Sequence, residues 1–237
     1  MTRQAIIGAI QRGLKRGPLP ADQRAMLAAR IASHPRHLIP ARGQLGLAGR
    51  ITLFTEYVER EFGTVDRLAS LDDVPEAIAR YLAGQNLAPA LVASPHPALQ
   101  TIPFASKPML SVRFGVSTPA DPVSLQHAFA AIAETGTLML PSGPTRPTSN
   151  NLLPDNAIVV LPASRIVGCF EDAFDLLRLA GPDDKPRGPK AKPRESFMPR
   201  NVMLVTGPSR SADIEQTLEL GAHGPRRLHV LIIDGES

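Results

Sequence analysis

Two stretches hold most of the chemistry this sequence can do. The first, Thr206-Gly-Pro-Ser-Arg-Ser-Ala-Asp-Ile-Glu215, comes after the apolar run Val202–Val205 and precedes Gly221-Ala-His-Gly-Pro225. A run that short, cut off by Gly207-Pro208, reads as an interior strand of a parallel sheet. The residues beyond that turn read as a helix: Ser209 or Ser211 can cap it, Ile214 and Leu218 form an i, i+4 apolar pair, and Gly221 ends it. A strand entering a helix through such a turn gathers backbone N–H groups and the positive end of the helix dipole at one spot, which attracts an anion. Arg210 can add a two-pronged clamp. Thr206, Gly207, Ser209, Arg210, Ser211 and Asp213 are therefore candidate ligand contacts, with His223 beside them. The same spacing suits a plainer reading, in which Asp213 and Glu215 complement the dipole, Arg210 is solvated and His223 belongs to a helix stop.

The second stretch is Glu134-Thr-Gly-Thr137. Asp121-Pro122 starts a helix, Leu125, Ala128, Phe129 and Ile132 give it an apolar stripe, and Gly136 turns the chain into a strand over 137–140. Glu134 then falls at a helix C-terminus, where the dipole disfavours a carboxylate by about 0.3–1 kcal/mol at a surface. A functional role would explain that placement, so Glu134 is a candidate catalytic base or nucleophile, with Thr135, Gly136 and Thr137 lining its turn. A solvated terminal glutamate is the alternative. The Ser/Thr/Pro loop 141–151 lies at the C-terminal edge of a strand, where open α/β sheets bind ligands. Together these segments are expected to converge on one cleft that accepts a carboxylate or phosphate.

The rest of the chain must position them. Residues 4–33 read as two helices broken at Gly17-Pro-Leu-Pro20, with Ile6, Ile7, Ile10 and Leu14 as a buried face. An irregular arm over 38–49 and an amphipathic helix over 51–62 come next. Strands are expected at 65–68, 87–93, 110–116, 157–161 and 228–233, and helices at 74–82 and 170–179. Strands alternating with helices imply an α/β fold, a mainly parallel sheet with helices on both faces. The division expected is a helical N-terminal arm, 1–62, and an α/β domain, 63–237, in which the proline-rich, basic stretch 181–196 is a mobile surface loop.

Composition narrows the function. The 237 residues include a single cysteine, Cys169. It can form no internal disulfide and cannot alone hold an iron–sulfur cluster, which needs four ligands. Its apolar surroundings, Ile166-Val-Gly-Cys-Phe170, suit a buried thiol better than a nucleophile. No stretch approaches the roughly 18 consecutive apolar residues of a membrane helix, so a cytoplasmic protein without a membrane span is expected. The formal charge of +4 sits largely in Lys185, Arg187, Lys190, Lys192 and Arg194, and aromatic residues are 4% of the chain with no Trp. Nucleic-acid binding is therefore not expected. His34 and His37 have no carboxylate or cysteine beside them, and no metal site is expected.

The C-terminal motif, Thr206 to Glu215 with Gly221-Ala-His-Gly-Pro225, resembles the signature of the lactate-utilization protein C family, the LUD domain. Glu134-Thr-Gly-Thr137 and Leu153-Pro-Asp-Asn-Ala-Ile-Val159 resemble two further motifs of that family, in the same order. The resemblance implies a three-layer α/β/α fold similar to the isomerase, CoA-transferase and formyltetrahydrofolate cyclo-ligase superfamily. It also implies a cluster-free subunit of a cytoplasmic system that oxidises L-lactate to pyruvate, with iron–sulfur clusters in partner proteins and no cofactor of its own. Two departures stand out. Relatives commonly carry His where this chain has Ala157, and a basic residue near Asn150 or Asn151; Arg146 and Arg165 are the residues that could compensate. The alternatives are a stand-alone enzyme using Glu134 on a phosphorylated or CoA-linked substrate, and a non-catalytic anion sensor.

Overall fold

The computed structural model describes residues 2–15, 17–180, 198–212 and 218–235. It divides into two compact units, Met1–Leu38 and Ile39–Ser237. In the first, the Thr2 hydroxyl caps α1 (Arg3–Gly13) by accepting the Ala5 N–H, and α2 (Ala21–Ser33) ends at His34, which adopts the left-handed conformation. Neither helix buries a residue. The stripe Ile6, Ile7, Ile10 and Leu14, expected to be a buried face, is 42–58% exposed. The helical period is correct, but a unit of two helices has too little chain to cover an apolar face.

The second unit begins with an irregular segment and α3 (Leu47–Arg60). Sequence periodicity assigns α3 to the N-terminal arm. Instead Ile51, Phe54 and Val58 place it in the main core, so the compact body starts before residue 63. The chain continues through β1 (Thr64–Leu68), α4 (Val74–Gly84), β2 (Ala90–Ala93), α5 (Pro97–Gln100), β3 (Ser111–Phe114), β4 (Val123–His127), β5 (Ala130–Ile132), β6 (Thr137–Pro141), β7 (Asn156–Pro162), β8 (Ile166–Val167), α6 (Phe170–Leu179), β9 (Val202–Val205), β10 (Arg210–Ala212), β11 (Leu218–Leu220) and β12 (Arg227–Ile233).

Six strands in the order β1-β12-β7-β4-β2-β3 make one sheet, and every pairing in it is parallel. Its central strands are buried on both faces, with alternate residues serving different cores. Val230 and Ile232 of β12 pack towards α3, while Leu231 and Ile233 pack towards α4. A smaller sheet, β8-β5-β6-β9, packs on the α3 side, and α6 covers it through Ala173 and Leu177. The result is the α/β fold with a mainly parallel sheet and helices on both sides that the alternation of elements implied.

Three local expectations are corrected. Residues 121–134 form no helix: they are β4, β5 and a 3-10 turn at Ala133–Thr135. Every residue of β4 and β5 is buried, so the segment has no solvent face, and a buried strand pair can mimic the apolar spacing of a helix. Strands β6 and β9 lie outside the parallel sheet and pair antiparallel in the smaller one. The motif after Gly207 forms the antiparallel ribbon β10–β11 instead of a capped helix. The Ser209 N–H donates to the Pro225 carbonyl and the Ser209 carbonyl accepts the Gly221 N–H, so these backbone groups are committed to the ribbon and its closing turn. The stretch 181–196 and Asp213 lie outside the described residues.

Candidate functional site

Two of the stretches singled out by sequence meet, the turn at Thr135–Thr137 and Thr206, with Gly136 and Thr137 buried and Thr206 exposed. The turn between β5 and β6 is closed by Gly136, held at φ +65°, where a Cβ would fall 2.5 Å from that of Tyr57. From that turn a line of hydroxyls runs outward, Thr135 Oγ1 to Thr137 Oγ1 at 2.8 Å and Thr137 Oγ1 to Thr206 Oγ1 at 2.8 Å. Gly207 then turns against Glu61, and the exposed Arg210 guanidinium lies 3.6 Å over the ring of Phe62. Ser209 Oγ accepts the His223 N–H at 3.0 Å, which fixes the backbone of His223 while the residue stays exposed. Ser211 pairs with Glu219 in the ribbon.

Glu134 is placed differently from expectation. It is 8% exposed, and its Oε1 accepts the N–H of Phe170, the first residue of α6, at 3.2 Å. Its own N–H donates to the Gly168 carbonyl, and its carbonyl accepts the Arg42 Nε–H at 3.1 Å. The carboxylate therefore sits at a helix N-terminus, where the dipole favours it, and not at a C-terminus, because the helix that would have ended there does not exist. Cys169, the N-cap residue of α6, makes no side-chain capping bond, so Glu134 supplies an acceptor that the cap residue does not. Burial, foremost, pushes the Cys169 thiol up to about 11, which keeps it protonated at neutral pH.

A second place gathers chemistry that sequence reading missed. A cleft of about 580 Å³ opens at the carboxyl edge of the parallel sheet, lined by Leu71 beyond β1, His96, Pro97, Ala98 and Thr101 beyond β2, His127 at the end of β4 with Phe129 beyond it, and Pro162 at the end of β7 with Ser164 and Arg165 beyond it. From β2 the chain steps outward to β3, whereas from β4 it steps the other way, through β7 to β12. That reversal is where doubly wound sheets bind ligands, because neighbouring loops part there.

His96 and His127 stack across the reversal with ring centroids 4.1 Å apart and planes within 8°. Arg146, itself 8% exposed, reaches both rings: Nη2 lies 3.1 Å from His96 Nε2 and 3.2 Å from His127 Nδ1, and Nε donates to the His127 carbonyl. A guanidinium has only donors, so both ring nitrogens accept, and a neutral His127 carries its proton on Nε2. At His96 a second donor, the Ala98 N–H, approaches Nδ1 at 3.3 Å. A neutral ring accepts at only one nitrogen, and the shorter, charge-assisted contact with Arg146 takes it. Asn150 pins the loop that delivers Arg146: fully buried, it donates to Ser94 Oγ and the Gly115 carbonyl, while its Oδ1 accepts the Ser117 N–H. The two basic residues named as possible compensation thus both reach this region, Arg165 as part of the lining and Arg146 behind the imidazoles. His127 is hidden at the sequence level because it falls inside an expected helix; the C-terminal residue of a recognised strand would draw attention.

The fold and the cleft define an α/β protein of the doubly wound kind with its opening at the strand reversal. Residues 122–233, just under half of the chain, match the LUD domain. It is similar to lactate utilization protein C from Macrococcus caseolyticus, 33% identical over 112 residues, covering 47% of this chain and 44% of that protein. It is similar likewise to lactate utilization protein C from Bacillus subtilis, 33% identical over 113 residues, covering 47% and 42%. An uncharacterized protein from Neisseria meningitidis is 39% identical over 106 residues, covering 45% and 40%. The matched stretch spans less than half the length of these relatives. Among solved structures, a DUF162 family protein from Deinococcus radiodurans shares the fold, with a TM-score of 0.56 at 20% identity over 80% of this chain and 99% of that one. No helix among the described residues is long and apolar enough to cross a membrane.

Proposed function

We propose that this chain serves lactate utilization as the cluster-free subunit of a cytoplasmic system that oxidises L-lactate to pyruvate. The match of residues 122–233 to the LUD domain, shared with relatives named lactate utilization protein C, carries the reading. Oxidation of lactate releases two electrons and two protons, and the electrons need an acceptor. A lone buried thiol held protonated cannot anchor a cluster, so in this reading the acceptors are iron–sulfur clusters of partner proteins. The exposed stretch with Thr206, Gly207, Arg210 and His223 is then the surface offered to a partner. Glu134 enters as a structural carboxylate, which weakens the alternative of a stand-alone enzyme with Glu134 as its base.

The test is reconstitution. The purified chain should show no iron–sulfur absorbance and no lactate turnover with an artificial acceptor, and turnover should appear when cluster-bearing partners are added. Turnover by the chain alone would end this reading.

A further inference from the structure

We propose that the helix pair α1–α2 is a peripheral anchor that lies on an anionic lipid surface, its isoleucines and leucines sunk among the acyl chains and its arginines and Lys15 set against the headgroups. Seven lysines and arginines against Asp22 alone give residues 1–38 a net charge of +6, in a chain whose formal total is +4. The basic excess therefore lies in this unit. Residues 39–237 carry −2, and the five basic residues of the stretch 181–196 are partly offset by Asp183, Asp184 and Glu195.

Charge and apolar surface are arranged together. Ile6, Ile10 and Leu14 recur every fourth residue with Ile7 beside them, so they form one stripe along α1, and at about 100° per residue Arg12 falls on the opposite side. Arg3 opens the helix and Lys15 follows it. On α2, Leu27 and Ile31 stand one turn apart, with Arg24 and Arg30 within a turn of them. Among the described residues of this unit every one but Gly8 is exposed, Ile31 to 74%, so the unit itself covers neither set of apolar side chains. A polyanion such as nucleic acid would pair with the cations and leave the isoleucines in water. A groove on a protein takes one stripe of one helix, whereas here both helices carry apolar and basic side chains. A bilayer surface answers both at once: the aliphatic side chains enter the acyl boundary while the long stems of Arg and Lys carry their charges up to the phosphates. At 11 and 13 residues the helices are too short to span a hydrocarbon core that needs roughly 20, so they lie in its plane.

Attachment to lipid is independent of the lactate reading, since it is measured on this chain alone and without turnover. The full chain is sedimented with vesicles of phosphatidylcholine alone and of phosphatidylcholine and phosphatidylglycerol in equal parts. Binding to the anionic vesicles should exceed binding to the neutral ones tenfold or more and weaken as salt is raised. It should fall tenfold or more when Ile6→Gln and Ile10→Gln are combined, which leaves the charge untouched, and likewise when Arg12→Gln and Arg24→Gln are combined. It should stay unchanged in Arg178→Ala, a control in α6. Neither helix buries a residue, so these variants keep the fold of the remaining chain, which a melting curve verifies. Failure to bind the anionic vesicles, equal binding to both kinds, or binding that survives either double substitution would overturn the proposal.

Discussion

The Glu134 carboxylate accepts the N–H of Phe170 at 3.2 Å, joining the turn after β5 to the first turn of α6 across 36 positions of sequence. A charged acceptor at a helix N-terminus contributes on the order of 1–2 kcal/mol. Glu134→Ala should lower unfolding free energy by about that amount, and Glu134→Gln, which keeps a neutral acceptor, by about half of it. Denaturant titration reads the difference. If turnover in a reconstituted system fell by orders of magnitude in Glu134→Gln while stability held, a chemical role would replace the structural one.

Gly168 and Gly43 meet backbone to backbone. A Cβ on Gly168 would fall 1.8 Å from the Gly43 carbonyl oxygen, and one on Gly43 would fall 3.3 Å from Glu134 Oε2. Gly168→Ala forces these segments apart and should cost about 3 kcal/mol, the upper end for overpacking, because the obstacle is backbone and cannot rotate away. Gly84, with open space around it, is the control: Gly84→Ala should be neutral or slightly stabilising. Equal melting temperatures for the two variants would contradict the contact.

His229 should make the protein's stability acid-sensitive. It is 3% exposed, stacked on Tyr81, with Nδ1 2.8 Å from Thr64 Oγ1 and no hydrogen-bond partner for Nε2, which lies 3.9 Å from Asp66. Burial, opposed by Asp66 and reinforced by Arg80, pulls its pKa down to about 4 from 6.5. The unfolded chain therefore binds the proton first, so stability is whole above pH 6.5 and declines as pH falls towards 4, by about 3 kcal/mol in all. His229→Gln should flatten the decline between pH 6.5 and 5, above the range where most carboxylates titrate. An unchanged slope would show that His229 is solvated.

Much of the fold is legible in the sequence because it rests on punctuation and alternation. Gly63 and the cluster at Asp72-Asp73-Val-Pro75 bracket β1 and α4, and β7 and β12 are unbroken apolar runs of strand length. The failures share a cause. Around Leu125, Ala128 and Phe129 a helical spacing of apolar residues is accidental, and long-range pairing decides the structure. The hydroxyl line from Thr135 to Thr206 is hinted at by the two motifs. The His96–His127–Arg146 cluster is not, since it joins three loops that touch only once the strand order is known.

Truncation tests where the compact body starts. A chain beginning at Ile39 should unfold cooperatively, whereas one beginning at Gly63 loses Phe54, Val58 and the Arg42 bond to Glu134 and should expose apolar surface to a dye such as ANS. Cooperative unfolding of the shorter chain would mean that α3 is dispensable.

Arg210→Ala should leave stability within about 0.5 kcal/mol, as for a surface change, while lowering partner-dependent turnover several-fold if this stretch meets a partner. Identical turnover would remove that stretch from the interface.

β1 pairs in register with β12, Thr64 facing His229 across 165 positions of sequence. During synthesis β1 leaves the ribosome early and has no place to dock until β12 emerges, because β12 separates it from β7. The sheet can assemble from β2, β3, β4 and β7 first, but the α3 face stays open, with Phe54 and Val58 awaiting Val230 and Ile232. That apolar flank thus stays uncovered until β12 is made, and β12 is the strand that seals it.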